Sequence, residues 1–224
     1  MSPAHFLNRL DAGRQLAVTV REYAHATDVL VLGLPRGGVP VASEVAGALN
    51  APLDILVVRK LGVPGHDELA MGAVASGGIT VLNRDLIAQL GITPESIDRV
   101  TERERAELAR REWAYRGNVP HADVTGRTVI LVDDGLATGA TMSAAVSAVR
   151  AMHPRRIVVA APVASRDAMR LLRQSADDCV SVLEPEPFYG VGLWYEDFAQ
   201  TTDREVRQLL AASRRRALAQ LLPS

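Results

Sequence analysis

Short runs rich in β-branched residues recur along the chain at Val29–Leu34, Ile55–Arg59, Ile79–Asn83, Thr128–Asp133, Ile157–Pro162 and Cys179–Leu183. Several are apolar at both alternating sets of positions. A strand of that kind has to be covered on both faces, which points to a parallel sheet buried between helices. Helical patterns fill the gaps. Leu16, Val20 and Tyr23 recur at three- and four-residue steps, a second pattern runs over Val39–Leu49, and a third places Met142, Val146, Val149 and Met152 on one stripe. A fourth lies at Ser165–Gln174. Strand, helix, strand in repetition predicts an α/β fold: a mainly parallel sheet flanked by helices, joined by right-handed crossovers.

The 224 residues suit a single domain spanning 1–224. A composition of 48% hydrophobic and 23% charged residues excludes a disordered or collagen-like chain. With 25 cationic and 26 acidic residues the net charge is -1, which argues against a nucleic-acid partner. The one cysteine, Cys179, precludes an intrachain disulfide and fits a reducing compartment. Met1–Arg14 lacks the apolar core of a signal peptide, and Ile157–Ala164, interrupted by Pro162, is too short to span a bilayer. A cytoplasmic protein with no membrane partner is therefore expected.

Two segments depart from the alternation. The stretch 93–117 opens on Thr93-Pro94-Glu95-Ser96, a helix start with proline at its first position, and then becomes densely charged. Glu95–Arg99 and Glu107–Arg111 are spaced for i,i+4 pairs. A solvated helix is the simple reading, a partner-binding helix the other. The stretch 203–222 predicts a C-terminal helix carrying Arg214, Arg215 and Arg216.

Chemistry concentrates in Thr128–Met142, where an apolar strand ends in Asp133 and Asp134, a loop with Gly135, Thr138, Gly139 and Thr141 follows, and a helix begins. The unpaired amides and dipole of a helix start favour an anion, and phosphate suits them. Gly135 and Gly139 let backbone approach that anion, and the threonines add hydroxyl donors. The two acids would repel phosphate. They suit a neighbouring polyol or a divalent cation. Carboxylates beside a phosphate cradle imply a sugar phosphate. A P-loop would need a lysine here, Gly33–Gly37 does not match a dinucleotide fingerprint, no nucleophile elbow is present, and the histidines lack metal-ligand spacing.

The Val129–Met142 stretch resembles the phosphoribosyl-diphosphate signature of type I phosphoribosyltransferases, and its Asp-Asp-Gly-Leu-Ala-Thr-Gly-Ala-Thr form is similar to the adenine-type members. The resemblance implies a Rossmann-like core with a small hood, a homodimer, and transfer of ribose 5-phosphate from phosphoribosyl diphosphate to a small nitrogenous acceptor. It implies that Asp133 and Asp134 hold the ribose hydroxyls, with Mg²⁺ nearby. It implies that Gly135, Leu136, Ala137, Thr138, Gly139, Ala140 and Thr141 cradle the 5′-phosphate. Hypoxanthine-type members carry an aspartate where this chain has Ala137, so a hypoxanthine or guanine acceptor is not expected.

Gly33–Val39 resembles the family's pyrophosphate loop, with Pro35 among its diphosphate-binding residues. Arg36 would fork onto diphosphate oxygens, Gly37 and Gly38 would admit backbone contacts, and a cis peptide is expected between Pro35 and Arg36. Arg59 and Lys60 end the next strand as further phosphate ligands. Every cationic residue but Lys60 is arginine, which hints that this position wants a compact ammonium. Leu61–Glu68, with Gly62 and Gly65 as hinges, reads as a mobile lid, with Glu68 or Asp67 as a base or a contact to the leaving group, or else as a solvated acidic loop. The hood is expected over 184–200, where Phe188, Tyr189, Trp194, Tyr195 and Phe198 cluster in a chain only 4% aromatic. Phe188, Tyr189 and Trp194 are the acceptor candidates, by stacking on a planar base, while packing of the hood onto the core or a dimer contact is the equal alternative. Two other readings stay open: a regulator of the same fold that binds phosphoribosyl diphosphate or nucleotide without catalysis, and a diverged activity on a related sugar phosphate.

Overall fold

The computed structural model describes residues 5–221, without the side chains of Asp67, Glu68, Gln220 and Leu221. Its centre is a parallel five-stranded sheet in the order β2 (Leu53–Ile55), β1 (Val29–Gly33), β6 (Thr128–Val132), β7 (Arg156–Val163), β8 (Asp178–Leu183). Alternation along the central strands divides the core. Val29 and Val31 of β1 with Ile130 and Val132 of β6 join the cluster under α1 (Arg9–Thr19), α2 (Gly38–Leu49) and α7 (Asp203–Leu221). Leu30, Leu32, Val129 and Leu131 join the opposite cluster under α5 (Ala140–Arg150) and α6 (Arg166–Leu172). Burying both alternate sets is what the doubly apolar runs required.

The sequence-based expectation fails in one region. The run Ile55–Arg59 is not one strand but a crossing between two sheets. Leu56 N still donates to Gly33 O of the main sheet, whereas Val57 N donates to Ser76 Oγ and receives Ser76 N on its carbonyl. From there β3 (Val58–Val63), β4 (His66–Ala75) and β5 (Ile79–Leu82) form a separate antiparallel sheet, so Ile79–Asn83 does not extend the parallel one. The predicted lid Leu61–Glu68 is mostly this hairpin. Leu61 and Val63 are buried, Gly65 turns the chain at φ +81, and Gly62 sits at an irregularity in the pairing. The glycines and Pro64 suggest a loop, but the alternation of apolar and polar residues around them is that of a strand with one buried face.

The charged helix α4 (Pro94–Arg116) is packed, not freely solvated. Val100, Glu104, Leu108 and Tyr115 lie buried on one stripe. Glu107 pairs with Arg111 at 2.7 Å as expected, while Arg99 donates to Ser96 Oγ. Its last residue, Arg116, forms a buried ion pair with Asp54 at 2.9 Å and tethers the helix to β2. A helix α3 (Arg84–Leu90), unforeseen in the sequence, links β5 to α4. No helix among the described residues is long and apolar enough to cross a membrane.

Cys179 of β8 is buried, and burial pushes its thiol up to about 11. The reactive thiolate is therefore scarce near neutrality. Native protein at pH 8 is expected to resist thiol reagents, with stoichiometric labelling only on unfolding. Rapid native labelling would contradict the packing of β8.

Candidate functional site

β1 and β6 are neighbours in register from Val29 against Thr128 to Gly33 against Val132. The helices that follow them leave toward opposite faces of the sheet, α2 into one core cluster and α5 into the other. Such divergence between adjacent parallel strands opens a crevice at their carboxyl ends, where open α/β sheets bind ligands. Residues 34–37 and 133–139 flank it.

The first loop is drawn tightly onto the second. Leu34 N donates to Val132 O at 2.9 Å, Gly38 N returns to Leu34 O at 3.0 Å, and the Pro35–Arg36 peptide is cis, as the resemblance implied. A Cβ on Gly37 would stand 1.9 Å from Asp134 Oδ2, and one on Gly38 would stand 2.6 Å from Val132 O. These two glycines are what allow the loop to touch the acid pair.

The second loop is anchored on one side and open on the other. Leu136 N donates to Val163 O, Ser165 N to Leu136 O, and Ser165 Oγ to Ala137 O at 2.6 Å. Gly139 reaches φ +75 to start α5, and Thr138 Oγ1 accepts from Ala140 N at 3.4 Å. Ala137, Thr138, Ala140 and Thr141 are exposed on the crest. The first-turn amides of α5 lack intrahelical partners by construction, so an anion there would meet donors and the positive end of the helix dipole.

Between the loops stand the acids. Asp133 Oδ1 accepts from Asp134 N at 2.9 Å. Burial, then the charge of Asp134, hold the Asp133 carboxyl well above the usual range. Burial also raises Asp134, opposed by Arg9. Arg9 Nε lies 2.8 Å from Asp134 Oδ2, Arg9 Nη1 donates to Ala199 O at 2.6 Å, and the guanidinium carbon lies 3.9 Å above the Phe198 ring. Tyr195 Oη donates to the Asp134 carbonyl. Arg9 carries no motif that marks it as a site residue, and Tyr195 is legible only as part of the aromatic cluster. The signal for Arg9 was faint: a cation in the first turn of a helix, where the dipole disfavours it.

The cationic candidates are distributed differently from expectation. Arg36, 37% exposed, reaches Asp203 at the start of α7 at 3.5 Å. Arg59 is committed to the buried Glu104 of α4 at 2.6 Å. Lys60 is exposed on β3. Successive strand residues point to opposite faces, so Arg59 and Lys60 do not serve one site together. Glu68 belongs to β4 by its backbone, and its side chain lies outside the described residues.

A resident metal does not fit the acid pair. One oxygen of Asp134 is taken by Arg9, and among the described residues no group of three or more His, Cys, Asp or Glu side chains gathers to hold an ion. Two carboxylates suffice only for an ion whose remaining ligands are waters and substrate phosphates, as Mg²⁺ commonly has.

The hood over 184–200 splits into two parts. Phe188 and Tyr189 line a cavity of about 770 Å³ with Ala137, Thr138, Ser165 and Arg166. Tyr189 is 80% exposed there. Trp194 does not line this cavity. Its ring lies 5.8 Å from that of His5, in an apolar cluster with Phe6, Tyr195 and Phe198. Val191 presses on the second loop: a Cβ on Gly135 would meet its Cγ1 at 2.4 Å.

Residues 5–195 match the sequence pattern of the phosphoribosyl transferase domain. Two Mycobacterium tuberculosis proteins, from strains CDC 1551 / Oshkosh and ATCC 25618 / H37Rv, bear the provisional name phosphoribosyl transferase. Each is 44% identical over 210 residues, covering 94% of this chain and 47% of the relative. The chain thus spans about half the length of the curated relatives it matches. The crystal structure of TT1426 from Thermus thermophilus superposes with a TM-score of 0.85 at 43% identity, covering 93% of this chain and 98% of that one. A family pattern that takes in both crevice loops, the parallel sheet and the hood as far as Tyr195 places this chain in the phosphoribosyl transferase domain family.

Proposed function

We propose that the chain transfers ribose 5-phosphate from phosphoribosyl diphosphate to a nitrogen of a small planar acceptor. The bond from the anomeric carbon to the diphosphate oxygen breaks with its electron pair leaving on diphosphate. The new carbon–nitrogen bond forms on the opposite face, and the acceptor nitrogen gives its proton to the departing diphosphate or to water. The observation that carries this reading is the contact of Gly37 and Gly38 with Asp133 and Asp134 at the switch point of the sheet. It sets a candidate diphosphate loop, a candidate ribose anchor and a candidate phosphate cradle side by side.

In this reading the acids accept from ribose hydroxyls and Gly135–Thr141 receives the 5′-phosphate. The departing diphosphate is stabilised by the Gly37–Gly38 backbone and by Arg36, once Arg36 exchanges its long contact with Asp203 for phosphate oxygens. Lys60 is a second cation for that charge. Mg²⁺ enters with the diphosphate as part of the substrate. The cavity beside Phe188 and Tyr189 takes the acceptor.

The test supplies phosphoribosyl diphosphate with Mg²⁺ and a panel of purines, pyrimidines and non-nucleobase amines. Diphosphate release with one acceptor supports the enzyme, binding without turnover marks a regulator, and no binding defeats both. Arg36→Ala is expected to lower turnover about thirtyfold, the loss of one hydrogen-bonded charge, while changing affinity for the nucleotide monophosphate product little. Equal losses in both measurements would remove Arg36 from the diphosphate.

A further inference from the structure

Asp134 is held from three sides, and one of the three comes from an element that no motif marked. Arg9 opens α1, where Asn8 caps the helix by accepting from Leu10 N and Asp11 N. A cation at that end is opposed by the helix dipole, so its presence calls for a compensating partner. Asp134 is that partner. The Arg9 side chain is 11% exposed, its Nε reaches Asp134 Oδ2 at 2.8 Å, and its face covers the Phe198 ring at 3.9 Å. Its Nη1 donates to Ala199 O, beside the hood aromatics. Tyr195 secures the Asp134 carbonyl, and Gly37 closes the remaining side so tightly that a Cβ would stand 3.2 Å from Arg9 Nε. The guanidinium fixes Oδ2, and the Asp134 backbone N–H also bears on this carboxylate, which keeps further lone pairs to accept from a ligand.

We propose that Arg9 is a positioning residue that orients the Asp134 carboxylate toward a ribose hydroxyl and, through Phe198 and Ala199, locks that orientation to the hood. This rests on the phosphoribosyltransferase reading above and adds to it a residue on α1 that neither crevice loop contains. Arg9 touches neither the reacting carbon nor the leaving group. Its effect is confined to ligands that carry the pentose.

The experiment measures dissociation constants by calorimetry for ribose 5-phosphate and for inorganic diphosphate, with thermal melts for each protein. Arg9→Gln is expected to weaken ribose 5-phosphate about tenfold, the loss of one charge-assisted contact behind the acceptor, and to change diphosphate less than about twofold. Arg9→Lys is expected to recover part of the loss, since an ammonium restores the charge but not the planar fork. Arg9→Gln combined with Asp134→Asn is expected to bind no worse than Asp134→Asn alone, because Arg9 works through Asp134.

Unchanged ribose 5-phosphate binding in Arg9→Gln, or equal weakening of both ligands, overturns the role of Arg9. If Arg9→Gln fails to fold, Phe198→Leu is read instead. It removes the ring beneath the guanidinium and is expected to weaken ribose 5-phosphate alone; no selective loss there overturns the proposal. A wild-type protein that binds neither ribose 5-phosphate nor phosphoribosyl diphosphate defeats the phosphoribosyltransferase reading itself. A wild type that binds both, with Arg9→Gln indistinguishable from it, defeats only the proposal for Arg9.

Discussion

The double substitution Asp133→Asn with Asp134→Asn is expected to weaken phosphoribosyl diphosphate binding about a thousandfold while the fold survives. Each carboxylate that accepts from a ribose hydroxyl contributes on the order of 1.5–3 kcal/mol, so removing two charges costs roughly 3–6 kcal/mol. Stability moves far less. The amide introduced by Asp133→Asn keeps an oxygen for the backbone N–H of the next residue, and it replaces a carboxyl whose ionised form burial already disfavours. The amide introduced by Asp134→Asn keeps an acceptor for Arg9 Nε, although the pair loses its charge. Calorimetric titration and a thermal melt on the same sample check both halves. Unchanged affinity would remove the acids from the sugar, and an unfolded protein would show them to be structural instead.

Gly37→Ala should damage binding and turnover together, by a different route. Its new Cβ would lie 1.9 Å from Asp134 Oδ2 and 2.6 Å from Asp134 Cγ, a separation that no packed structure tolerates. Either the loop withdraws or the carboxylate turns and gives up Arg9. A displacement of about an ångström in a positioned group costs on the order of a hundredfold in rate. Some stability should be lost as well, because a carboxylate that turns away leaves the Arg9 guanidinium, 11% exposed, without its partner. Gly38→Ala provides the contrast. Its Cβ meets Val132 O at 2.6 Å and Asp133 Cα at 2.8 Å, which are backbone atoms of the sheet. There the overpacking is expected to appear as about 1–3 kcal/mol of lost stability. Full affinity for phosphoribosyl diphosphate in Gly37→Ala would mean that the two loops do not act on one ligand.

Sequence and structure part where partners distant along the chain decide the outcome. Gly62, Pro64 and Gly65 suggested a lid, yet Leu61, Val63 and Met71 are buried, and the segment folds back as an antiparallel hairpin. Local breakers mark where a chain can turn. They do not say whether the arms beyond the turn will pair. Arg59 and Lys60 looked equivalent as neighbouring cations. The pleat sends them to opposite faces, and the buried Glu104, 45 residues further along, takes Arg59. Trp194 looked like part of an acceptor platform with Phe188, but it packs with His5 at the other end of the chain.

The doubly apolar strands, the helical stripes between them, the acid pair with its Gly/Thr loop and the Pro35–Gly38 turn were all legible because each is a local pattern: a repeat of two or of 3.6 residues, or a run of adjacent groups whose chemistry needs no distant partner. The order of the strands was not local. Only the fold placed β1 beside β6 and sent α2 and α5 to opposite faces, and that divergence is what turns two separate motifs into one crevice. Arg9 and Asp134 are 125 residues apart in sequence and 2.8 Å apart in space. No periodicity connects such a pair, because the force that joins them, a charge drawn to a charge largely shielded from water, acts only after the sheet, the first helix and the hood have closed around it.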